Sequence, residues 1–174
     1  MKKRKNFRFI SRLDIKDQYL IKSINFEGLR KVGYAKDYAL KYYNENIDEI
    51  FYIDAVSSLF NKRFVKNFLE MACEKIRVPV TVGGGIKNLY QAKKILKSGA
   101  DKIAINTAAI KKPSILLEAS KIFGSQCIVL SIEAKKRESN KWEALVDNGR
   151  ETTNISVLDW VKEAEKLGIG EILL

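Results

Sequence analysis

Three consecutive glycines, Gly83, Gly84 and Gly85, follow a short apolar run, Val78-Pro79-Val80-Thr81-Val82. Glycines at a strand end expose backbone N–H groups with no side chain over them, and such a surface can hold a phosphate. A second run, Lys102-Ile103-Ala104-Ile105, ends in Asn106 and Thr107, whose small polar side chains can join the same anion. Strand ends that converge on a phosphate point to a (β/α) barrel enzyme.

Composition narrows the chemistry. The 174 residues contain no histidine, so the commonest general base and transition-metal ligand are missing. Proton transfer falls to carboxylates, Lys, Cys or Ser/Thr, and the reading calls for no metal and no cofactor. Net charge is +11, which favours an anionic partner such as a phosphorylated metabolite. The basic residues are scattered along helical stretches, which makes nucleic acid the weaker choice. Cys73 and Cys127 sit in apolar runs and read as reduced, buried thiols. The basic start at residues 1–5 is not followed by an apolar stretch, because Arg8 and Arg12 interrupt it. The expectation is a cytoplasmic protein with no membrane span.

The elements that must position these residues alternate. Strands are predicted at Phe7–Ile15, Glu49–Ala55, Val78–Val82, Lys102–Asn106, Cys127–Ala134 and Glu171–Leu174. Helical faces read from Ala35, Tyr38, Ala39 and Tyr42; from Val65, Phe68, Leu69 and Ala72; and from Ala92, Ile95 and Leu96. Pro113 opens a further helix that Gly124 closes, and a last helix spans about Ser156 to Leu167 with Asn154 as a possible N-cap. Alternation of this kind implies right-handed βαβ units and a parallel sheet. The segment 142–153, with Asp147-Asn148-Gly149 at its centre, reads as a β-hairpin insertion in one partial barrel domain over residues 1–174.

A weak repeat aligns Asn46-Ile47-Asp48-Glu49-Ile50, Gly99-Ala100-Asp101-Lys102-Ile103 and Gly168-Ile169-Gly170-Glu171-Ile172. It puts Glu49, Lys102 and Glu171 at the entry of alternate strands, where they could form a charged ring with Arg8 at the barrel floor. The plainer alternative is a set of solvated strand-start charges.

Further motifs occur in a fixed order: Leu13-Asp14-Ile15-Lys16-Asp17, Asn25-Phe26-Glu27, Val82-Gly83-Gly84-Gly85-Ile86, Ala100-Asp101-Lys102, Ile105-Asn106-Thr107-Ala108-Ala109, Phe123-Gly124-Ser125-Gln126 and Gly170-Glu171-Ile172-Leu173-Leu174. Together they resemble the cyclase subunit of imidazole glycerol phosphate synthase. The resemblance implies a (β/α)8 (TIM-type) barrel with a HisH-type glutaminase at its floor. Ammonia would pass through the barrel to a phosphoribulosyl-formimino nucleotide, giving imidazole glycerol phosphate and an aminoimidazole carboxamide ribotide. It assigns Arg8, Glu49, Lys102 and Glu171 to an ammonia gate. It makes Asp14 and Glu133 the catalytic pair, with Glu133 where the family has aspartate. Lys22 and Asp54 match substrate-facing positions, beside Gly83, Gly84, Gly85, Asn106 and Thr107.

The resembled pattern continues past a sixth strand, so the expectation is an incomplete barrel: about six βα units, strands seven and eight missing, the chain a fragment or truncated product. Arg12-Leu13-Asp14, Ser131-Ile132-Glu133-Ala134-Lys135 and Asp147-Asn148-Gly149-Arg150-Glu151 also resemble a paralogous branch associated with amidation of surface-polysaccharide sugars. A basic, non-catalytic binding module is the third reading.

Overall fold

The computed structural model describes residues 7–24, 27–56 and 75–174. The predicted helical face at residues 65–72, and Cys73, lie outside the described residues. Six strands run parallel and follow the predicted ones: β1 (Ile10–Lys16), β4 (Glu49–Asp54), β5 (Val80–Gly83), β6 (Lys102–Ile105), β7 (Ile128–Ser131) and β11 (Glu171–Leu173).

The expectation of six strands with two missing is corrected here. Two uncounted strands, β2 (Tyr19–Ile24) and β3 (Glu27–Tyr34), extend the sheet antiparallel from β1. Among the described residues the main sheet therefore has eight strands, in the order β11-β7-β6-β5-β4-β1-β2-β3. Asp17, at φ 53°, turns the chain back after β1, and the pairing Ile15↔Leu20 starts the ladder. Register shifts break the alternation within β2 and β3, so a period of two was hard to see in the sequence.

The sheet curls. In a flat sheet β1 and β11 would stand five strand spacings apart, about 24 Å. Instead Arg8, just before β1, donates a hydrogen bond directly to Glu171 at the start of β11. Alternating side chains therefore face a barrel-like interior or an outer layer of helices. Leu13, Ile15, Ile50, Tyr52, Val82, Ile103 and Leu130 point outward into the main core. That core is covered by α1 (Ala35–Asn44), α2 (Leu89–Lys97), α3 (Thr107–Lys111), α4 (Ser114–Phe123) and α5 (Val157–Lys166). The opposite alternation, Phe51, Ala104 and Val129 with Ile53 and Leu173, forms a second apolar cluster inside.

The helix boundaries have local causes. Asn88 accepts a hydrogen bond from the Gln91 N–H at 3.0 Å and caps α2. Gly124, at φ 88°, follows α4 as expected. The cap of α5 is Ser156, whose Oγ accepts from the Asp159 N–H, and not Asn154. Asn154 lies in a bulged strand at φ 59°, pinned because buried Glu143 accepts its N–H at 2.7 Å and that of Thr153 at 3.0 Å. That strand, β10 (Glu151–Ser156), pairs with β9 (Lys141–Val146), which pairs with β8 (Glu133–Glu138) in a separate three-stranded sheet. Among the described residues no helix is long and apolar enough to cross a membrane.

Candidate functional site at the mouth and floor of the sheet

The residues facing the interior form columns set by the two-residue strand period. On β4 the column is Glu49, Phe51, Ile53; on β6 and beyond it is Lys102, Ala104, Asn106; on β11 it is Glu171, Leu173. Each column begins charged at the floor and becomes apolar midway.

At the floor the predicted four residues come together. Lys102 Nζ donates to both Glu49 oxygens, at 2.8 and 2.9 Å, and to Glu171 Oε2 at 2.7 Å. Arg8 bridges the same two carboxylates, at 2.7 Å to Glu49 Oε2 and also to Glu171 Oε1. Thr81 Oγ1 donates to Glu49 Oε1 at 2.7 Å, a partner the sequence did not indicate. Glu49 is wholly buried, and a buried carboxylate needs such partners. Burial would raise the Glu171 carboxyl, but Lys102 and Arg8 together hold it below the ordinary glutamate value.

The other ends of the strands surround a cavity of about 620 Å³. Gly84 and Gly85 line it at φ 97° and 65°. A side chain at Gly84 would put its Cβ 2.1 Å from the Asp54 carbonyl oxygen, so only glycine lets the two strand ends meet. Asn106 and Thr107 line the same cavity, and Asn106 Oδ1 is buried with no hydrogen-bond partner among the described residues. It is therefore an acceptor available to a ligand N–H or O–H.

Glu133 also lines this cavity. Burial pushes its carboxyl above the ordinary glutamate value, against the pull of a hydrogen bond from the Gly149 N–H, the Arg12 charge and Asn106 Nδ2, which donates to Glu133 Oε2 at 3.2 Å. Asp14 sits across from it on β1 and accepts a hydrogen bond from Arg12 Nε at 2.9 Å. The two carboxyl groups share a smaller adjoining pocket, so the sequence-predicted pair meets at one place.

Three of the residues predicted at the mouth fall outside the lining of both pockets, the first of them Gly83, which is buried at the end of β5. Asp54 is buried and accepts the Val56 N–H at 3.0 Å, a role in the turn after β4. Lys22 is exposed on β2, outside the cavity lining. Sequence reasoning did not single out the cations that line the cavity: Arg12, Lys87, Lys111, Lys112 and Arg150. Arg12 was detectable, since it stands two residues before Asp14 on one strand face. Lys87 and Lys111 lie shortly after Gly85 and Thr107. Arg150 stood in the Asp147-Asn148-Gly149-Arg150-Glu151 motif, which did not mark it as a cation of the cavity.

The family model described as "Histidine biosynthesis protein" matches residues 8–174. The chain belongs to this family. Three relatives in it are named imidazole glycerol phosphate synthase subunit HisF. The protein from Legionella pneumophila is 48% identical over 97% of this chain and 80% of its own length. Those from a Hydrogenobaculum species and Streptococcus mutans are 41% and 40% identical, each over 96% of this chain and 66% of its own length. The chain thus spans just under two thirds of the length of those last two members of the family.

Proposed function

We propose that the protein is the cyclase subunit of an imidazole glycerol phosphate synthase-type glutamine amidotransferase. It uses channelled ammonia to convert a phosphoribulosyl-formimino nucleotide to imidazole glycerol phosphate and an aminoimidazole carboxamide ribotide. The observation that carries this reading is the layering along one set of inward columns. A neutralised charged ring at the floor is followed by the apolar cluster of Phe51, Ala104 and Val129, then by the carboxyl pair and the glycine strand end.

Each layer has a task. A HisH-type glutaminase docks at the floor, and ammonia enters past Arg8, Glu49, Lys102 and Glu171. Neutral ammonia crosses the apolar layer, whereas an ammonium ion would have to be desolvated there. At the mouth the backbone of Gly83, Gly84 and Gly85, with Asn106, Thr107 and Lys87, holds a substrate phosphate. Glu133, with its raised pKa, is the better proton donor, and Asp14, paired with Arg12, is the carboxylate that accepts a proton. Together with a HisH-type glutaminase, the protein is expected to consume the nucleotide when glutamine is supplied, and with ammonium salts alone at alkaline pH. No turnover under either condition overturns the proposal.

A second reading, ammonia delivery for amidation of a surface-polysaccharide sugar, draws support from two features. Glu133 replaces the aspartate of the resembled family, and the turn at residues 147–150 lies over the mouth. Gene deletion separates the two. Histidine auxotrophy supports the first reading, and loss of an amidino sugar with prototrophy intact supports the second.

A further inference from the structure

Asp14 and Glu133 stand on different sheets. Asp14 lies on β1 of the main sheet, and Glu133 opens β8, the first strand of the separate three-stranded sheet. No strand ladder joins the two sheets among the described residues, so other contacts must set one carboxyl against the other. The turn at residues 147–150 supplies them. Asn148 Nδ2 donates to the Ala55 carbonyl at 2.9 Å, and the Ala55 N–H donates to the Ile15 carbonyl at 3.0 Å, one residue after Asp14. On its other side the turn gives the Gly149 N–H to the Glu133 carboxyl. Three hydrogen bonds thus lead from β1 to Glu133, and Asn148 makes the one that crosses the mouth. We propose that Asn148 is a positioning residue, whose tie to Ala55 holds the Gly149 N–H against Glu133 and so sets that carboxyl opposite Asp14. The inference rests on the function proposed above, which gives the two carboxyls their roles, and adds what fixes them in place.

The local backbone suits this task. Asp147, Asn148 and Gly149 lie at φ 51°, 59° and 75°, the left-handed region that Asn, Asp and Gly enter at least cost. A side chain at position 148 must accept that conformation and also donate a hydrogen bond. Asparagine does both, whereas aspartate and glycine do only the first. A second tie comes from Asp147, whose N–H donates to Thr107 Oγ1 at 3.0 Å and whose carboxylate meets Lys111 Nζ at 3.1 Å. That tie reaches α3 and not β1, so it keeps the turn over the mouth without setting it against Asp14. Without the Asn148 tie the carboxyl stays covered, but the Gly149 N–H is free to drift from it. The charged groups that line the two pockets with Glu133 are Arg12 and Asp14 on β1, Lys87 after β5, Lys111 and Lys112 at the end of α3, and Asp147 and Arg150 in the turn. Asn148→Gly alters none of them and adds no charge.

The test is a pH titration of the Glu133 carboxyl by NMR on protein carrying isotope-labelled glutamate, with Glu133→Gln identifying the signal. A hydrogen bond from an N–H favours the charged carboxylate, so its loss in Asn148→Gly is expected to move the Glu133 midpoint to higher pH. Turnover is measured beside it, in the complex with a HisH-type glutaminase. There kcat is expected to fall about tenfold or more while KM stays within about threefold, because a misplaced acid slows the reaction without loosening the substrate. Asn148→Asp, equal in shape but lacking the donor, is expected to lose the same turnover, and thermal melts check that both variants fold. A midpoint that stays or falls in Asn148→Gly overturns the placement, whatever the turnover. A raised KM with kcat unchanged overturns it too, since Asn148 would then be a substrate contact. If the midpoint rises but the parent protein turns over no nucleotide, the placement stands and the function proposed above falls.

Discussion

At the floor of the sheet two carboxylates are met by the same two cations: Glu49 takes Arg8 and Lys102, with the Thr81 hydroxyl beside them, and Glu171 takes Arg8 and Lys102. At the mouth the balance is reversed. Arg12, Lys87, Lys111, Lys112 and Arg150 line a cavity whose acidic residues, among those described, are Glu133 and Asp147; Lys111 pairs with Asp147, Arg12 with Asp14 outside the lining and Lys112 with Glu118, which leaves Lys87 and Arg150 without an ion pair among the described residues. Charge at the floor is spent on holding neighbouring strands in one arrangement. Charge at the mouth is left over and makes a positive potential for an anion. The floor should thus respond to mutation in stability and the mouth in activity.

The sharpest way to break that comparison is Lys102→Ala. It leaves buried Glu49 with half its cationic support, and stability is expected to fall by roughly 3–5 kcal/mol in urea denaturation. A loss under 1 kcal/mol would mean that the ring does not hold the floor. Next is Glu133→Gln, expected to lower turnover by about 10²–10³-fold while stability holds or rises. A drop in stability as large as that of Lys102→Ala would move Glu133 into the structural class. Arg8→Ala is a finer probe. Its side chain is half exposed, so it should cost about 1 kcal/mol, less than Lys102→Ala despite contacting the same carboxylates.

The smallest effects are in pH, and they run in opposite directions. Glu171 has a depressed pKa in the fold. Its stabilising contribution is present above the ordinary glutamate pKa and is lost as pH falls through the depressed value. Glu133 has a raised pKa, so the folded state holds its proton longer than the unfolded state does. Stability from that proton is present below the ordinary glutamate pKa and disappears as pH rises through the raised value. Melting curves between pH 4 and 8 should therefore show Glu133→Gln gaining on the parent protein toward neutral pH. A constant difference across that range would remove the burial argument for Glu133.

Much of this arrangement was legible in the chain. The repeat around Glu49, Lys102 and Glu171 pointed to the floor ring, because each sits at the same step of a βα unit. The glycine run and Asn106-Thr107 pointed to the mouth. What escaped were features whose local pattern is broken. The bulged β2–β3 extension loses its two-residue period, and Asn154 looked like a helix cap until the bulge in β10 claimed it. For Lys22 and Asp54 the resemblance, not a local pattern, pointed to the mouth; in the fold Lys22 is exposed on β2 and Asp54 accepts the Val56 N–H in its own turn.

Which side chains share a column follows from the order of residues, since alternation along a strand is a local property of the backbone. That order makes Glu49, Phe51 and Ile53 face one way and Ile50 and Tyr52 the other. Which columns meet depends on how the whole sheet folds. Arg8 and Glu171 are 163 residues apart, and their contact exists because the sheet curls. Arg150 lines the same pocket as Arg12 because a turn far along the chain is tied across the mouth to Thr107 and Ala55. Register and curvature are set by the packing of the whole sheet against its helices, and no short stretch of residues encodes them.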